Sequence, residues 1–340
     1  MKILKDNSLA NYTTMRLGGY ARHIIELNTE ADIIEAIEFA EQKKIPFLCI
    51  GDGSNIIFTD RGFDGVVFIN KIFGYKINAL SGLVQINSGE NWNEMVHKTV
   101  RDNLCGIESL ALIPGTTGAA PVNNIGAYGQ EIKDTLVSLR AYDINKNKFV
   151  ELSNKECDFA YRNSRFKSKD YGRYIISSIT LQLNNIADKK YNTPIYESLN
   201  KQLIKNNITN PSPKQIMETV IEIRKSKLPD PKYTANTGSF FKNPVMPIAK
   251  VNNLLKQFAD LPNYSYNLEN KKISAAWLIE SVGLKDFRQD GMWVYSKQPL
   301  VLVNESTTKY KDLAKMKDYI INKVKAKFSI TLEPEPEIIE

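Results

Sequence analysis

Residues 114–129 constrain this chain more than any other stretch. Pro114-Gly115-Thr116-Thr117-Gly118-Ala119-Ala120-Pro121 leads into Asn123-Asn124-Ile125-Gly126-Ala127-Tyr128-Gly129, with four glycines, two threonine hydroxyls and no charge. Glycine loses more chain entropy on folding than any other residue, so a long glycine-rich loop is expected only where its geometry is needed. A neutral loop of small residues also lets backbone approach an anion without side-chain obstruction. A second loop, Gly51-Asp52-Gly53-Ser54-Asn55, follows the apolar run Phe47-Leu48-Cys49-Ile50. It lacks the third glycine of the Rossmann fingerprint and runs on into Ile56-Ile57-Phe58 rather than an amphipathic helix, so that reading fails. Alone it reads first as a plain tight turn; with the first loop it suits a dinucleotide.

A chain of 340 residues suggests two or three domains. Hydrophobic content of 42% and charged content of 24% fit an ordinary globular protein. The net charge of +7 is spread along the chain, with one dense stretch from Lys309 to Lys327. Leu313, Met316, Ile320, Ile321 and Val324 recur there at helical spacing, which predicts a surface helix with a solvated lysine face rather than a nucleic-acid or membrane patch. Cys49, Cys105 and Cys157 are odd in number and far apart, and His23 and His97 stand alone, so neither disulfides nor a metal site are expected. No apolar run is long enough to span a bilayer and no secretory segment follows Met1, so a cytoplasmic protein is expected.

Thr29, with Asp32 three residues later, predicts a capped helix carrying Ile33, Ile34, Ile37 and Ala40. Strands are expected at 47–50, 66–69, 83–86, 136–142, 174–183 and 299–303, with a further apolar run at 56–58. Helices are expected at 91–100, 213–225, 248–258 and 274–282, the last capped by Gly283. The polar stretch from Asn184 to Asn210 has few apolar anchors and is read as mobile. Leu228-Pro229-Asp230-Pro231 is the best linker candidate. The irregular alternation of elements predicts an α+β fold rather than a doubly wound sheet.

Three separated segments each bring one chemically distinct group. Tyr161-Arg162-Asn163-Ser164-Arg165-Phe166-Lys167 brings guanidinium groups, Gly238-Ser239-Phe240-Phe241-Lys242-Asn243-Pro244 a hydroxyl beside two aromatics, and Leu332-Glu333-Pro334-Glu335 carboxylates. Each has a bland alternative: a surface salt bridge for Arg162, a turn residue for Ser239, a frayed acidic tail for Glu335. If the fold gathers them, Arg162 can hold an anionic substrate bidentately, Ser239 can move a proton and Glu335 can orient or polarise the reacting end. Arg165 is an alternative anion partner.

Taken together, these segments resemble the UDP-N-acetylenolpyruvoylglucosamine reductase family. The two glycine loops are similar to those that hold FAD in the PCMH/vanillyl-alcohol-oxidase-like fold. The Asn123-Asn124-Ile125-Gly126-Ala127-Tyr128-Gly129 version resembles this family in particular, as does Asn11-Tyr12-Thr13-Thr14-Met15-Arg16-Leu17-Gly18-Gly19. The resemblance covers nearly the whole chain. It implies an FAD-binding fold in two lobes, residues 1–70 joined by 331–340 and residues 71–228, plus an α+β substrate-binding domain at 229–330. It implies cofactor contacts from Gly51, Gly53, Ser54, Asn55, Pro114, Gly115, Thr116, Thr117, Gly118, Asn124, Gly126, Ala127 and Arg224. Substrate contacts are implied for Tyr128, Tyr161, Tyr196, Lys227, Asn243, Lys285 and Gln298, with Tyr196 on the loop that marks the longer, type I branch.

The same resemblance implies an NADPH-dependent reduction of UDP-N-acetylglucosamine enolpyruvate through bound FAD, in peptidoglycan precursor synthesis. Arg162 would then face the substrate carboxylate, Ser239 would protonate a carbon and Glu335 would assist. UDP-N-acetylglucosamine enolpyruvate and NADPH are the implied partners, with no nucleic acid, membrane or obligate protein partner. The alternatives are another oxidase or dehydrogenase of the same flavin fold, or a non-catalytic flavin- or nucleotide-binding module.

Overall fold

Thr29 opens the first helix, Glu30–Lys43: its hydroxyl accepts from the Asp32 N–H, and the Asp32 carboxylate accepts from the Thr29 N–H. Two of the otherwise orphan donors at the helix start are thereby satisfied. Ile33, Ala36, Ile37 and Ala40 face the core, and Lys44 ends the helix in the left-handed region. The computed structural model describes residues 2–186 and 194–340, in two compact units. Of the described residues, the first unit holds 2–7, 21–52, 64–186 and 194–226, and the second holds 8–20, 53–63 and 227–340.

In the first unit, a four-stranded sheet has the order Ile3–Ser8, Tyr20–Leu27, Phe63–Asn70, Phe47–Ile50, the last two strands being parallel. A five-stranded antiparallel sheet has the order Lys148–Ser153, Leu136–Asp143, Tyr174–Gln182, Leu83–Asn87, Tyr75–Asn78. Arg140 on that sheet donates twice to Glu30, at 2.8 and 3.1 Å, which pins the first helix beside it. The helix Trp92–Arg101 and the helix Pro213–Lys227 contribute Trp92, Met95, Val96, Ile216 and Val220 to one large apolar core.

Of the polar stretch expected to be mobile, residues 187–193 lie outside the described residues. Glu197–Lys205 forms a helix, because Leu199 and Leu203, one turn apart, bury themselves in that core.

Asp143 is fully buried and takes a bidentate pair from Arg173, at 2.8 and 3.0 Å; Arg173 also reaches Asp170 at 3.0 Å. The hydrogen bonds from Arg173 hold the Asp143 carboxyl below its usual range. A lowered folded-state pKa means a contribution that is present above the unfolded value and lost as pH falls through the folded one. Asp143→Asn is therefore expected to lower the urea midpoint at neutral pH, with the deficit shrinking under acid as the wild-type carboxylate is protonated. An equal deficit at all pH values would contradict this pairing.

In the second unit, an antiparallel sheet has the order Ala235–Ser239, Val301–Asn304, Met292–Val294, Arg288–Gln289. A smaller sheet joins Val245–Pro247, Asn270–Ile273 and Asn263–Ser265. The lysine-rich helix, Tyr310–Phe328, buries Leu313, Met316, Ile320, Val324 and Phe328 against these elements. Its lysines lie largely on the other face, as amphipathic spacing requires. The helix Ala275–Ser281 ends as expected, with Gly283 at φ +75° donating its N–H to Glu280. Among the described residues, no helix is long and apolar enough to cross a membrane.

Candidate active site

The first unit supplies the glycine loop 114–129, Gly51 and Asp52 of the other loop, and the arginine turn. Residues 115–118 wrap the start of the helix Trp92–Arg101: Trp92 donates to the Gly115 carbonyl at 3.0 Å, while Thr117 and Gly118 donate their N–H groups to Glu90 and Ser88. Those two N–H groups are thus spent internally, which corrects the simple picture of a loop whose donors all face an anion. The glycines are needed for close approach. A Cβ on Gly51 would collide with the Thr116 side chain, so the two loops abut there, and a Cβ on Gly118 would meet Ser88 Cβ at 2.5 Å.

Arg162 stands in a tight turn. Ala160 donates to the Asn163 carbonyl at 3.0 Å and Asn163 donates back at 3.1 Å, leaving Tyr161 and Arg162 as the central residues. Arg162 has φ +52°, a conformation in which its Cβ is crowded. This is the position that favours glycine in a turn of this kind, so an arginine there is strained. Its Nη2 donates to the Gly126 carbonyl at 2.7 Å and its guanidinium lies 5.3 Å from the Tyr161 ring centre. Asn124 and Tyr128, at φ +44° and +46°, are strained in the same way. Left-handed non-glycine residues clustered on one loop and its neighbouring turn mark a site that the surrounding fold holds against local preference.

Tyr128 packs edge-on to Tyr196, with ring centres 5.3 Å apart. Burial pushes its phenol up, opposed by the nearby Arg224. Arg224 donates from Nη2 to the Leu112 carbonyl at 3.2 Å, but its Nε is enclosed with no acceptor among the described residues. Burial lowers its pKa, and the like charge of Arg162 acts in the same direction. An enclosed guanidinium N–H with no acceptor fits a ligand that brings oxygen atoms. Arg165 does not fit that part: it donates to Asp170 at 2.7 Å and to the Glu156 carbonyl at 2.8 Å, which spends the alternative anion partner on the fold.

The second unit supplies Ser239 and Glu335. Between Asn236 and Ser239 the strand slips by one residue against Val301–Val303, a β-bulge, and Gly238 takes φ +70° within it. Such a bulge re-aims the side chain that follows. No atom lies within 4 Å of where a Gly238 Cβ would stand, so backbone conformation, not crowding, requires the glycine. Phe240 and Phe241, both buried, then anchor the strand in the core.

The C-terminal segment is no frayed tail. Glu335 donates its N–H to the Phe240 carbonyl at 2.8 Å, Lys242 donates to the Glu333 carbonyl at 2.9 Å, and Phe241 bridges Pro334. Glu337–Ile339 then pairs in parallel with Ile56–Phe58. Glu335 is half-buried one hydrogen bond from Phe240, the neighbour of Ser239, while the Glu333 side chain is exposed beside Lys242. Asn55 donates its amide to the Glu335 carbonyl at 3.4 Å. Gly53, at φ +62°, passes so close to the Tyr12 carbonyl that no Cβ would fit, and it accepts from the Thr14 N–H.

Among the remaining candidates, Asn243 accepts from the Ala275 N–H at 3.0 Å and so anchors the start of a helix. Gln298 sits in a backbone turn between Tyr295 and Val301. Lys285 is exposed and paired with Glu280 at 2.7 Å, and Lys227 is exposed at the end of its helix. Local sequence did not single out Thr237, whose buried hydroxyl has no partner among the described residues. It directly precedes the Gly238-Ser239-Phe240 motif, which is the sequence signal that points to it.

Two family models match the chain. A FAD binding domain model matches residues 21–153, and a UDP-N-acetylenolpyruvoylglucosamine reductase C-terminal domain model matches residues 230–339. With a PCMH-type FAD-binding domain followed by this C-terminal domain, the chain is an FAD-dependent oxidoreductase. Curated UDP-N-acetylenolpyruvoylglucosamine reductases are similar over nearly their full length. The enzyme from Ralstonia nicotianae is 40% identical, covering 97% of both chains, and that from Buchnera aphidicola is 38% identical, covering 98% of both. The Escherichia coli O157:H7 enzyme is 35% identical, over 98% of this chain and 96% of its own.

The chain belongs to the UDP-N-acetylenolpyruvoylglucosamine reductase family and acts in peptidoglycan precursor synthesis. The crystal structure of such a reductase from Thermus caldophilus shares the fold, with TM-score 0.71 at 21% identity and full coverage of both chains.

Proposed function

We propose that this protein reduces the enolpyruvyl double bond of UDP-N-acetylglucosamine enolpyruvate with NADPH, through Arg162, Ser239 and Glu335. The observation that carries the assignment of groups is the segment 240–242 lying against 333–335, which makes Ser239 and Glu335 near neighbours. FAD, when bound, relays the hydride from NADPH to the substrate. The residues expected to hold it are, in the first unit, the abutting loops at Gly51 and Thr116 and Arg224, whose Nε has no acceptor among the described residues, and, in the second unit, the segment around Gly53.

The chain's own groups perform the rest. Hydride arriving at the terminal enolpyruvyl carbon leaves negative charge on the adjacent carbon and its carboxylate. Arg162 holds that carboxylate, since a guanidinium stays charged and binds bidentately. Glu335 shares a proton with it or orients the donor, and Ser239 delivers the proton to carbon. Stabilising the developing charge is the main electrostatic task. Tyr128, Tyr161, Tyr196, Asn243, Lys285 and Gln298 complete the substrate contacts, and the protein works in the cytoplasm. The pairing of Glu337–Ile339 with Ile56–Phe58 joins 331–340 to part of the segment 1–70, although both strands fall in the second compact unit together with 227–330.

NADPH oxidation by the purified yellow protein, with and without the enolpyruvyl sugar, tests the reading directly. Consumption that requires the sugar and yields the lactyl ether is expected. A flavoprotein that turns over NADPH identically without it would favour a different substrate. Lys227→Ala is expected to raise the KM of both NADPH and the nucleotide sugar about tenfold with FAD content unchanged, because each ligand brings phosphate to a lysine acting as a point charge. Unchanged KM values would return Lys227 to a structural role.

A further inference from the structure

We propose that Asn124 is a positioning residue for Arg162: its amide fixes the turn on which the guanidinium stands. Asn124 is fully buried, and its Nδ2 donates to the Ala160 carbonyl and to Glu131 Oε2, each at 3.0 Å. Its Oδ1 accepts from the Lys133 N–H at 3.3 Å. Both amide hydrogens are consumed, so no side-chain donor remains for a cofactor. The carbonyl it holds belongs to Ala160, which closes the turn around Arg162.

Three further bonds tie the same two segments together. Ser164 Oγ donates to the Val122 carbonyl, Lys167 Nζ to Asn123 Oδ1 and Arg162 Nη2 to the Gly126 carbonyl, each at 2.7 Å. The loop 122–131 therefore sets the backbone of Arg162 through Asn124 and its guanidinium through Gly126. Arg162 needs this support because its own φ of +52° is unfavourable for a residue with a side chain. Glu131 completes the device: its carboxylate accepts from Asn124 and pairs with Lys133 at 2.6 Å. A bidentate grip on a carboxylate tolerates little misplacement, so a turn released from this tie loses rate without losing charge.

The inference rests on Arg162 acting on the substrate, and a double-mutant cycle separates the two claims. Asn124→Gly keeps the left-handed backbone and removes the amide. In the FAD-loaded protein, its substrate-driven reoxidation step is expected to slow about tenfold, with hydride uptake from NADPH within twofold of wild type. In an Arg162→Ala background the same change is expected to have no further effect. Glu131→Gln, which keeps the turn's backbone bonds, is expected to give a smaller loss with the same dependence on Arg162, and serves if Asn124→Gly does not fold. Full additivity of either variant with a damaging Arg162→Ala overturns the positioning role alone. So does loss of FAD with normal substrate reoxidation in the loaded fraction, which would make Asn124 a cofactor ligand. A silent Arg162→Ala overturns the role of the arginine, and this inference with it.

Discussion

Ser239→Ala is expected to bind FAD and to take hydride from NADPH at the wild-type rate, yet to lose the substrate half-reaction by about 10²–10⁴-fold, the range for removing a positioned proton donor. Only the second half-reaction places a proton on carbon, so only that half should fail. The substitution is mild for the fold. Ser239 ends its strand after the bulge at Gly238, and the strand is held by backbone bonds and by the buried Phe240 and Phe241. Rapid mixing of the reduced variant with the enolpyruvyl sugar isolates the step. Reoxidation at the wild-type rate would remove Ser239 from the chemistry. Loss of both half-reactions would indicate a disturbed strand instead.

Glu335→Gln is expected to lower turnover by about 10²–10³-fold, the scale for removing a group that acts on charge developing in the transition state. FAD content and hydride uptake from NADPH should stay near normal. The structure makes this substitution a cleaner test than truncation. Removing residues after Leu332 would also remove the strand Glu337–Ile339 from its pairing with Ile56–Phe58, and the Glu335 N–H from the Phe240 carbonyl. Glutamine keeps every one of those backbone bonds and nearly the same shape. An exposed glutamate would tolerate the change, since isolated surface charges contribute little. Wild-type turnover would therefore reduce Glu335 to a structural residue.

Much of this protein is written locally in its chain. Thr29 and Asp32 announce a helix start, Gly283 a helix end, and the spacing of Leu313, Met316, Ile320 and Val324 the buried face of the lysine-rich helix, because caps and amphipathic stripes depend on neighbours within a turn or two. The motifs around Arg162, Ser239 and Glu335, read beside the glycine loops, were sufficient to indicate the family. Tertiary structure decided what local pattern cannot carry. Arg165 looks as apt for an anion as Arg162 until Asp170 and Glu156 are seen to occupy it. Local sequence does not tie Asn124 to Ala160, and only in the fold does its amide meet that carbonyl, 36 residues on. Glu335 looks like a tail residue until its N–H finds Phe240 across the chain. For Asn124 and Glu335 the deciding partner is distant in sequence, and for Arg165, whose partners lie five and nine residues away, it is the folded turn that brings them to the guanidinium. A hydrogen-bonding group advertises its capacity in the sequence, but only the fold determines which partner uses it.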